Sequence, residues 1–326
     1  MNKIIINPTR HATLLSKCAS IKKVIFPFFI LLTFLTTGGC EKSIESDNSS
    51  QQGEDATNAN LVLRVQMTRG AGNELPWKTL MFEIYKDNKK IKDIVQHEGD
   101  SNYGTANVQL TPATYQVLVL AHSAAGNPSR PRPTEIEFTN QTGYTDVFYS
   151  YGDIKVETEK KEYEITLQRA TSLVRFRTKD AVPEQVKSMM FVYTGGSAKL
   201  DATTGYGNEA STQKISFNIE DSMIGKPLQV DLYTFKRENS DKIKLTVRAN
   251  KNTLDASTIA FYKTKDFEIP LAYREISDFS GYFFSENPGG DENEKPNGNE
   301  ETNDTISSSF SIKVDTAWTG INHYTY

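Results

Sequence analysis

The chain has 326 residues, of which 37% are hydrophobic and 24% charged, and its formal net charge is −4 at pH 7. Residues 1–39 carry five of the 37 basic residues and none of the 41 acidic ones, which leaves 32 basic against 41 acidic residues, a net charge of −9. That balance argues against a nucleic-acid partner, whose phosphates require a basic face, and it does not suit an anionic lipid surface.

Residues 1–39 have the pattern of a secretory signal. Two lysines precede the apolar run 24–35, VIFPFFILLTFL, which is too short for a permanent membrane span, and small residues lead to Cys40. This exit resembles the lipobox of bacterial lipoproteins, in which the thiol takes a diacylglycerol and becomes the new N-terminus. The other cysteine, Cys18, lies within the signal, so no internal disulfide is expected. We predict lipidation at Cys40; the alternative is an exported protein with an incidental cysteine.

Residues 40–60 are predicted to form a lipidated acidic tether. From 41 to 60 the chain has five acidic residues, one lysine and a single large aliphatic residue, which is too little apolar surface to order a segment. A flexible coil of this length reaches on the order of 25 Å. Glu41 and Glu45 resemble the acidic residues that follow the lipidated cysteine in surface-exported lipoproteins of some Gram-negative anaerobes. We expect attachment to the cell outer membrane with display at the surface; a periplasmic position is the alternative.

The body of the chain, residues 61–284, is predicted to be all-β. Apolar and polar residues alternate in runs such as 163–168, and Gly, Asn, Asp and Pro separate the runs. The best helical candidate is a single turn at Pro183–Ser188. The predicted strands are Leu61–Met67, Leu80–Tyr85, Ala106–Leu110, Tyr115–Ala121, Thr134–Phe138, Asp146–Tyr151, Glu162–Leu167, Leu173–Thr178, Met189–Tyr193, Lys214–Ile219, Leu228–Phe235, Lys242–Ala249, Phe267–Ile269 and Gly281–Phe284.

These strands are too many for a single β-sandwich, which has roughly seven. The length also allows two domains. The pattern therefore predicts two tandem β-sandwich domains, 61–168 and 169–326, which divide near Arg169, where one alternating strand ends and another begins.

Several segments resemble the fimbrillin superfamily. LTPATYQVLVLA (110–121) resembles a recurring turn and strand of that superfamily, LQRATSLVRFR (167–177) resembles the start of its second domain, and 228–249 with 267–284 resemble the closing strands of its minor and anchoring subunits. The resemblance implies two transthyretin-like Greek-key β-sandwiches in a lipoprotein that helps to build a surface fimbria. It also implies strand exchange between stalk subunits, in which a C-terminal strand fills a groove of the next subunit. That groove opens when an N-terminal strand is cut away after an arginine.

The segment LVLRVQMTRGAG (61–72) has the features of such a processing site. Apolar residues alternate from Leu61 to Met67, and Arg69 follows beside glycine, where a protease can enter a mobile loop. Removing the strand would uncover a hydrophobic groove with unpaired backbone groups. Arg69 is a candidate processing site; the alternative is an ordinary exposed arginine. An anchoring subunit is expected to keep this strand, because cleavage would release it from the membrane.

The C-terminal region is predicted to contain a connector and a strand. Residues 285–305 hold seven acidic residues, one lysine, two prolines and three glycines, which indicates a disordered connector. Residues 306–318 restore a strand pattern. Because loop closure depends only weakly on length, this strand can return to its own sheet or be donated to a neighbour, and both alternatives stay open. Its candidate residues are Phe310, Ile312, Val314 and Trp318.

No pattern of catalytic or metal-binding residues stands out. After residue 39 the histidines are His97, His122 and His323, and none has a second ligand at metal-site spacing. Phosphate-loop and nucleophile-elbow motifs are also missing from the sequence. We therefore predict no enzymatic activity and no cofactor.

Three hypotheses for function remain. The leading one is a minor or anchoring fimbrial subunit that acts in assembly and adhesion. The second is a stalk or tip subunit activated by cleavage after Arg69. The third is a glycan-binding outer-membrane lipoprotein, which exposed tryptophan or tyrosine platforms would favour. The expected partners are other fimbrial subunits, the outer membrane through the lipid on Cys40, and a host protein or glycan.

Overall fold

The computed structural model describes residues 58–67, 75–285 and 318–326. Within these ranges the regular structure is 20 β-strands and one short 3-10 turn, Asp221–Met223, which confirms the predicted all-β fold. The strands are β1 (Leu61–Val65), β2 (Thr79–Lys86), β3 (Lys89–His97), β4 (Thr105–Val108), β5 (Ala113–His122), β6 (Ser129–Arg132), β7 (Glu135–Glu137), β8 (Val147–Val156), β9 (Lys161–Ile165), β10 (Gln168–Arg169), β11 (Ser172–Ala181), β12 (Ser188–Thr194), β13 (Lys199–Asp201), β14 (Tyr206–Gly207), β15 (Gln213–Asn218), β16 (Pro227–Thr234), β17 (Lys242–Asn250), β18 (Phe261–Pro270), β19 (Ile276–Gly281) and β20 (Ile321–Thr325).

The N-terminal sandwich packs a three-stranded sheet, ordered β4-β1-β9, against a five-stranded sheet, ordered β10-β8-β5-β2-β3. Side chains alternate between the two faces of a strand, so Tyr115, Val117 and Val119 of β5 all point into the core between these sheets. Trp77 and Phe148 are completely buried there, with ring centroids 5.1 Å apart. Each fully buried large aliphatic or phenyl side chain contributes about 1.5–3 kcal/mol.

The C-terminal sandwich packs two four-stranded sheets, ordered β16-β11-β19-β20 and β15-β12-β17-β18. Its central strand, β11, is antiparallel to β16 and parallel to β19. Phe176 of β11 occupies the middle of the core. The aromatic rings with centroids between 5.3 and 6.5 Å from that of Phe176 are Phe191, Phe267, Phe279, Phe283 and Tyr326.

A small third sheet joins the two sandwiches. Its order is β14-β13-β7-β6, so it takes two strands from each side of the change between sandwiches. That change occurs at Ala170–Thr171, called here the junction, between β10 and β11. The third sheet covers the outer face of the five-stranded sheet, where Leu118 and Leu120 of β5 pack with Phe138 and Phe235. The N-terminal sandwich is therefore buried on both faces of its larger sheet.

A buried carboxylate holds the third sheet in place. The side chain of Glu83 on β2 is 1% exposed and forms ion pairs with Arg130 of β6 and with Lys90, whose Nζ lies 3.2 Å from Glu83 Oε1. The Tyr85 hydroxyl donates to the other carboxylate oxygen. Since a buried charge is costly unless it is paired and hydrogen-bonded, these partners fix β6 over β2.

Three sequence expectations differ from the structure. The predicted strand Gly281–Phe284 is wrong, because β19 ends at Gly281. Phe283 and Phe284 are both buried, whereas successive residues of a strand with one buried face alternate between the core and solvent. The predicted helical turn at Pro183–Ser188 is a β-turn closed by the Val186 N–H and the Pro183 carbonyl at 3.0 Å. The predicted strands also omit β3, β6, β10, β13, β14, β20 and all but the last residue of β19. In the case of β3, Asp87 and Asn88, with φ of 51° and 60°, form a hairpin turn before the strand.

Candidate functional site: the two terminal strands

Strand β1 is the middle strand of its sheet. It pairs antiparallel with β4 and parallel with β9, and the register with β9 runs from Leu61 opposite Lys161 to Val65 opposite Ile165. Leu61 and Leu63 are fully buried and Val65 is 6% exposed, whereas Arg64 points outward and pairs with Glu162 at 3.2 Å. Removing β1 would therefore leave a groove between β4 and β9 with open backbone groups on both walls.

Asn60 fixes the point where the chain enters this sheet. Its Nδ2 donates to the carbonyl oxygens of Leu110 and Glu157, both at 2.8 Å, and its Oδ1 accepts from the Leu110 N–H at 2.9 Å. Asn60 and Ala59 are 6% and 5% exposed, so the packed sandwich includes the last two residues of the predicted tether 40–60. This asparagine could be found in the sequence only as one polar residue among many.

The chain enters the N-terminal sandwich at the end opposite the junction. Strand β8 runs from Val147, whose carbonyl accepts from Ala170 N–H at 2.8 Å, to Val156 beside Glu157. Ten strand residues span about 33 Å. Because Asn60 binds Glu157, the chain enters the sandwich at the far end of β8, and β1 then runs toward the junction end.

Most predicted site residues lie outside the described residues. These are Cys40, Arg69, Phe310, Ile312 and Val314, together with most of the predicted connector 285–305 and of the predicted strand 306–318. Lipidation of Cys40, processing after Arg69 and donation of residues 306–318 therefore stay predictions.

Trp318 contacts an arginine at the junction. The Cζ atom of Arg169 lies 3.9 Å from the ring centroid of Trp318 and 4.8 Å from that of Phe148. The same guanidinium binds Asp146 through Nε, at 2.9 Å from Oδ1, and through Nη2, at 2.8 Å from Oδ2. A planar guanidinium can stack on aromatic rings and bind a carboxylate at the same time. Arg169, at the predicted boundary, therefore joins the C-terminal segment to the N-terminal sandwich.

The C-terminal strand lies beyond the predicted one. Strand β20 pairs parallel with β19, from Ile321 opposite Ile276 to Thr325 opposite Ser280. His323 Nδ1 lies 3.2 Å from Asp278 on the outer face. The ladder to β19 and the inward-facing tyrosines of this segment attach the last nine residues to the chain's own sheet.

Tyr326 seals the core after β20. Its ring stacks on Phe279 at 4.6 Å and Phe176 at 5.3 Å, and its hydroxyl donates to the Arg177 carbonyl at 3.0 Å. Burial raises the pKa of Tyr326, and nearby Asp180 raises it further. A β-carbon at Gly281 would collide with the Tyr326 carbonyl, so only glycine allows this approach.

Asp180 holds the chain where it leaves the C-terminal sandwich. Its carboxylate accepts from the backbone N–H groups of Phe283, Phe284 and Ser285, at 3.1, 2.7 and 2.6 Å, and from the Ser285 hydroxyl. Partial burial favours the protonated carboxyl, but these donors outweigh it and lower the pKa of Asp180. The last residues before position 286 are thereby fixed at the end of β19.

The described residues offer little chemistry at any other place. No three His, Cys, Asp or Glu side chains in these ranges cluster as a metal site requires, and none of the helical structure there approaches the length and apolarity of a membrane-crossing segment. Trp77 is completely buried and therefore offers no platform for glycan binding, while Trp318 is half-buried with one face against Arg169.

A family model covers the region from the end of the N-terminal sandwich to the C-terminal segment. Described as Mfa2, fimbrillin-A associated anchor proteins Mfa1 and Mfa2, it matches residues 142–319, just over half of the 326 residues. The chain belongs to this family. Membership in the Mfa2 family supports the predicted role as a fimbrial subunit at the cell surface that interacts with other fimbrial subunits. The family is one of anchor proteins rather than of enzymes.

Solved structures of fimbrial and adhesin-like proteins are also similar. A candidate adhesin from Bacteroides ovatus has 14% identity and a TM-score of 0.45, over 66% of this chain and 86% of its own. The fimbrial anchor protein Mfa2 from Porphyromonas gingivalis has 10% identity and a TM-score of 0.33, over 57% and 76%. A fimbrial assembly protein from Parabacteroides distasonis has 13% identity and a TM-score of 0.32, over 64% and 84%. No curated protein matches the sequence.

Proposed function

We propose that this protein is an anchoring or minor subunit of a fimbria, attached to the outer membrane through a lipid on Cys40, which keeps strand β1 in its mature form. The observation that supports this proposal is the position of β1 between β4 and β9, with Leu61 and Leu63 fully buried. In an anchor this strand connects the lipidated end covalently to the folded body. Its groove is then filled by the chain itself and is closed to a donated strand.

N-terminal mapping and intact mass of the protein from its native membrane fraction test this proposal. We expect a chain that begins at acylated Cys40 and retains residues 41–69. A Cys40→Ala variant should lose the lipid and the membrane association, while an Arg69→Ala variant should match the wild type. A lipid-free chain beginning at Gly70 would overturn the proposal.

The second candidate function is a stalk or tip subunit activated by cleavage after Arg69. It is supported by the same position of β1, because loss of a central strand would open a two-walled groove for a donated strand. In this case Arg69→Ala should block processing and assembly, whereas in an anchor it should change neither.

A further inference from the structure

Strand β18 leaves one edge of the C-terminal sandwich open. Nine of its ten residues pair with β17, and β17 is its one neighbour among the described strands. An unpaired strand edge presents a row of backbone N–H and C=O groups that can bind another strand.

The outer half of this edge is apolar. Phe261 is 56% exposed, and Ile259, just before the strand, is 46% exposed. The other strongly exposed large hydrophobic residues among the described ones are Ile91 and Ile321, and each stands alone on a different strand. Two neighbouring exposed apolar side chains beside open backbone groups favour a contact surface over a solvated edge.

The same half of the edge is positively charged. Lys263 and Lys265 point their Nζ atoms at backbone carbonyls, of Phe284 at 3.3 Å and of Tyr282 at 2.8 Å, and neither forms an ion pair among the described residues. Arg248 lies 5.8 Å from the Phe261 ring centroid. Burial and the neighbouring charge of Lys263 lower the pKa of Lys265, and Asp180 offsets part of this effect. An acidic chain thus carries a local basic and aromatic edge.

This edge lies at the end of the molecule opposite the N-terminal segment. Strand β17 begins near Thr194, beside the third sheet, and ends at Asn250, from which the hairpin leads to Phe261. The N-terminal segment enters at the opposite end of the other sandwich, through Asn60. If the proposed function holds, the membrane is on the Asn60 side and the open edge faces the rest of the fimbria; this orientation rests on the proposed function, whereas the charge and the open edge do not.

We propose that the β18 edge, comprising Ile259, Phe261, Lys263, Lys265 and the free backbone side of β18, binds an acidic, extended segment of a partner protein as an added strand. Backbone groups of the edge supply the ladder, the lysines pair with acidic side chains on alternate residues, and Phe261 and Ile259 become covered. Residues 286–305 of this chain are acidic, but two prolines and three glycines make them a poor added strand. The predicted strand 306–318 carries only one acidic residue, beside one lysine, so it lacks the alternating acidic side chains that these lysines would pair with. Both points favour a strand-forming segment from another polypeptide.

Binding of a synthetic peptide to the full chain tests the proposal. The probe is a fluorescent peptide of alternating valine and glutamate, and its counterpart has lysine for glutamate. We expect the acidic peptide alone to bind, and more weakly at high salt. Phe261→Ser with Lys263→Glu should weaken binding about tenfold or more, a loss of about 1.4 kcal/mol or more. The matched control, Ile91→Ser with Lys89→Glu on the edge strand β3, should leave binding unchanged.

Several outcomes would overturn this proposal. Three of them are equal binding of both peptides, no binding of either peptide, and an equal loss of binding in the β3 control. A fourth is much tighter peptide binding by a chain that lacks residues 286–305, because this segment would then already occupy the edge. Sedimentation with anionic vesicles that depends on Phe261, without peptide binding, would also overturn it. A milder Lys263→Gln variant with unchanged circular dichroism separates binding from folding. A mature chain beginning at Gly70 would remove the proposed function but leave this peptide result as it stands.

Discussion

The side chain of Asn60 satisfies three backbone groups at the start of β1. Replacing Asn60 with alanine would leave the buried N–H and carbonyl of Leu110 without these partners. Losing the partner of a buried polar group costs about 1–3 kcal/mol, so we expect Asn60→Ala to lower the free energy of unfolding by about 2–3 kcal/mol in urea titrations. The exposed neighbour Asn58 is the matched control, and equal effects of the two substitutions would contradict this role.

A second residue-scale feature predicts a dependence of stability on pH. His122 is completely buried, its Nδ1 accepts from the Ala124 N–H at 3.1 Å, and its ring stands edge-on to Phe138 at 5.5 Å. Burial, then the charge of Arg130, then His97, lowers the pKa of His122 to about 4. Folding therefore favours neutral His122.

The unfolded chain takes up this proton near the ordinary histidine pKa of about 6.5, before the folded chain does. The contribution of His122 is thus complete above about pH 6.5 and is lost as the pH falls toward about 4, by about 3 kcal/mol. Unfolding free energies measured across this window should fall with acidification. His122→Gln should flatten the slope, and a slope that persists in this variant would contradict the assignment.

At the scale of elements, Tyr326 holds the end of β20 against the core. Truncating Tyr326 to alanine removes its ring from Phe176 and Phe279 and its hydrogen bond to Arg177. We expect a loss of about 2–4 kcal/mol in unfolding free energy and increased binding of an apolar dye. Thr325→Ala, whose side chain is exposed, should change neither measurement. A native-like Tyr326→Ala protein would mean that the ladder to β19 alone holds the C-terminus.

Strands with one buried face carry the clearest alternating pattern. In β17 the apolar residues occupy alternate positions, so period and burial agree, whereas β1 also buries Val62 on its opposite face. Strand β3, KKIKDIVQH, lies at a sheet edge and exposes most of its first half, which hides the alternation. In β20 the inward residues begin with Asn322, whose Nδ2 donates to Glu275 Oε2 at 2.6 Å, so no apolar period marks the strand.

The sequence predicts part of the candidate site, as it predicts part of the fold. The apolar pattern of residues 61–67 predicts the central strand β1, because the pattern reflects the burial of the side chains of that strand. The side-chain hydrogen bonds of Asn60, Arg169 and Asp180 depend instead on residues that lie 23 to 105 positions away in the chain. Single-sequence periodicity contains no information on such pairings.

At the scale of the whole molecule, the third sheet should make unfolding cooperative. It takes β6 and β7 from one side of the junction and β13 and β14 from the other, and fully buried Leu200 and Ile136 pair across it. We expect a single urea transition in which the fluorescence of Trp77 and Trp318 and the far-ultraviolet circular dichroism change together. Leu200→Asp, which places a charge in this core, should separate the signals. Two transitions in the wild type would show that the sandwiches unfold independently.

The setting of β1 also determines how the protein resists mechanical force. The chain enters at the end away from the junction, and β1 has hydrogen-bonded neighbours on both sides. A pull on the N-terminal segment acts along the strand axis, so both ladders are loaded in shear and their bonds must rupture together. A strand peeled from a sheet edge would instead lose its bonds one after another. In this geometry, a force on the chain just before β1 meets two hydrogen-bonded ladders that resist it together.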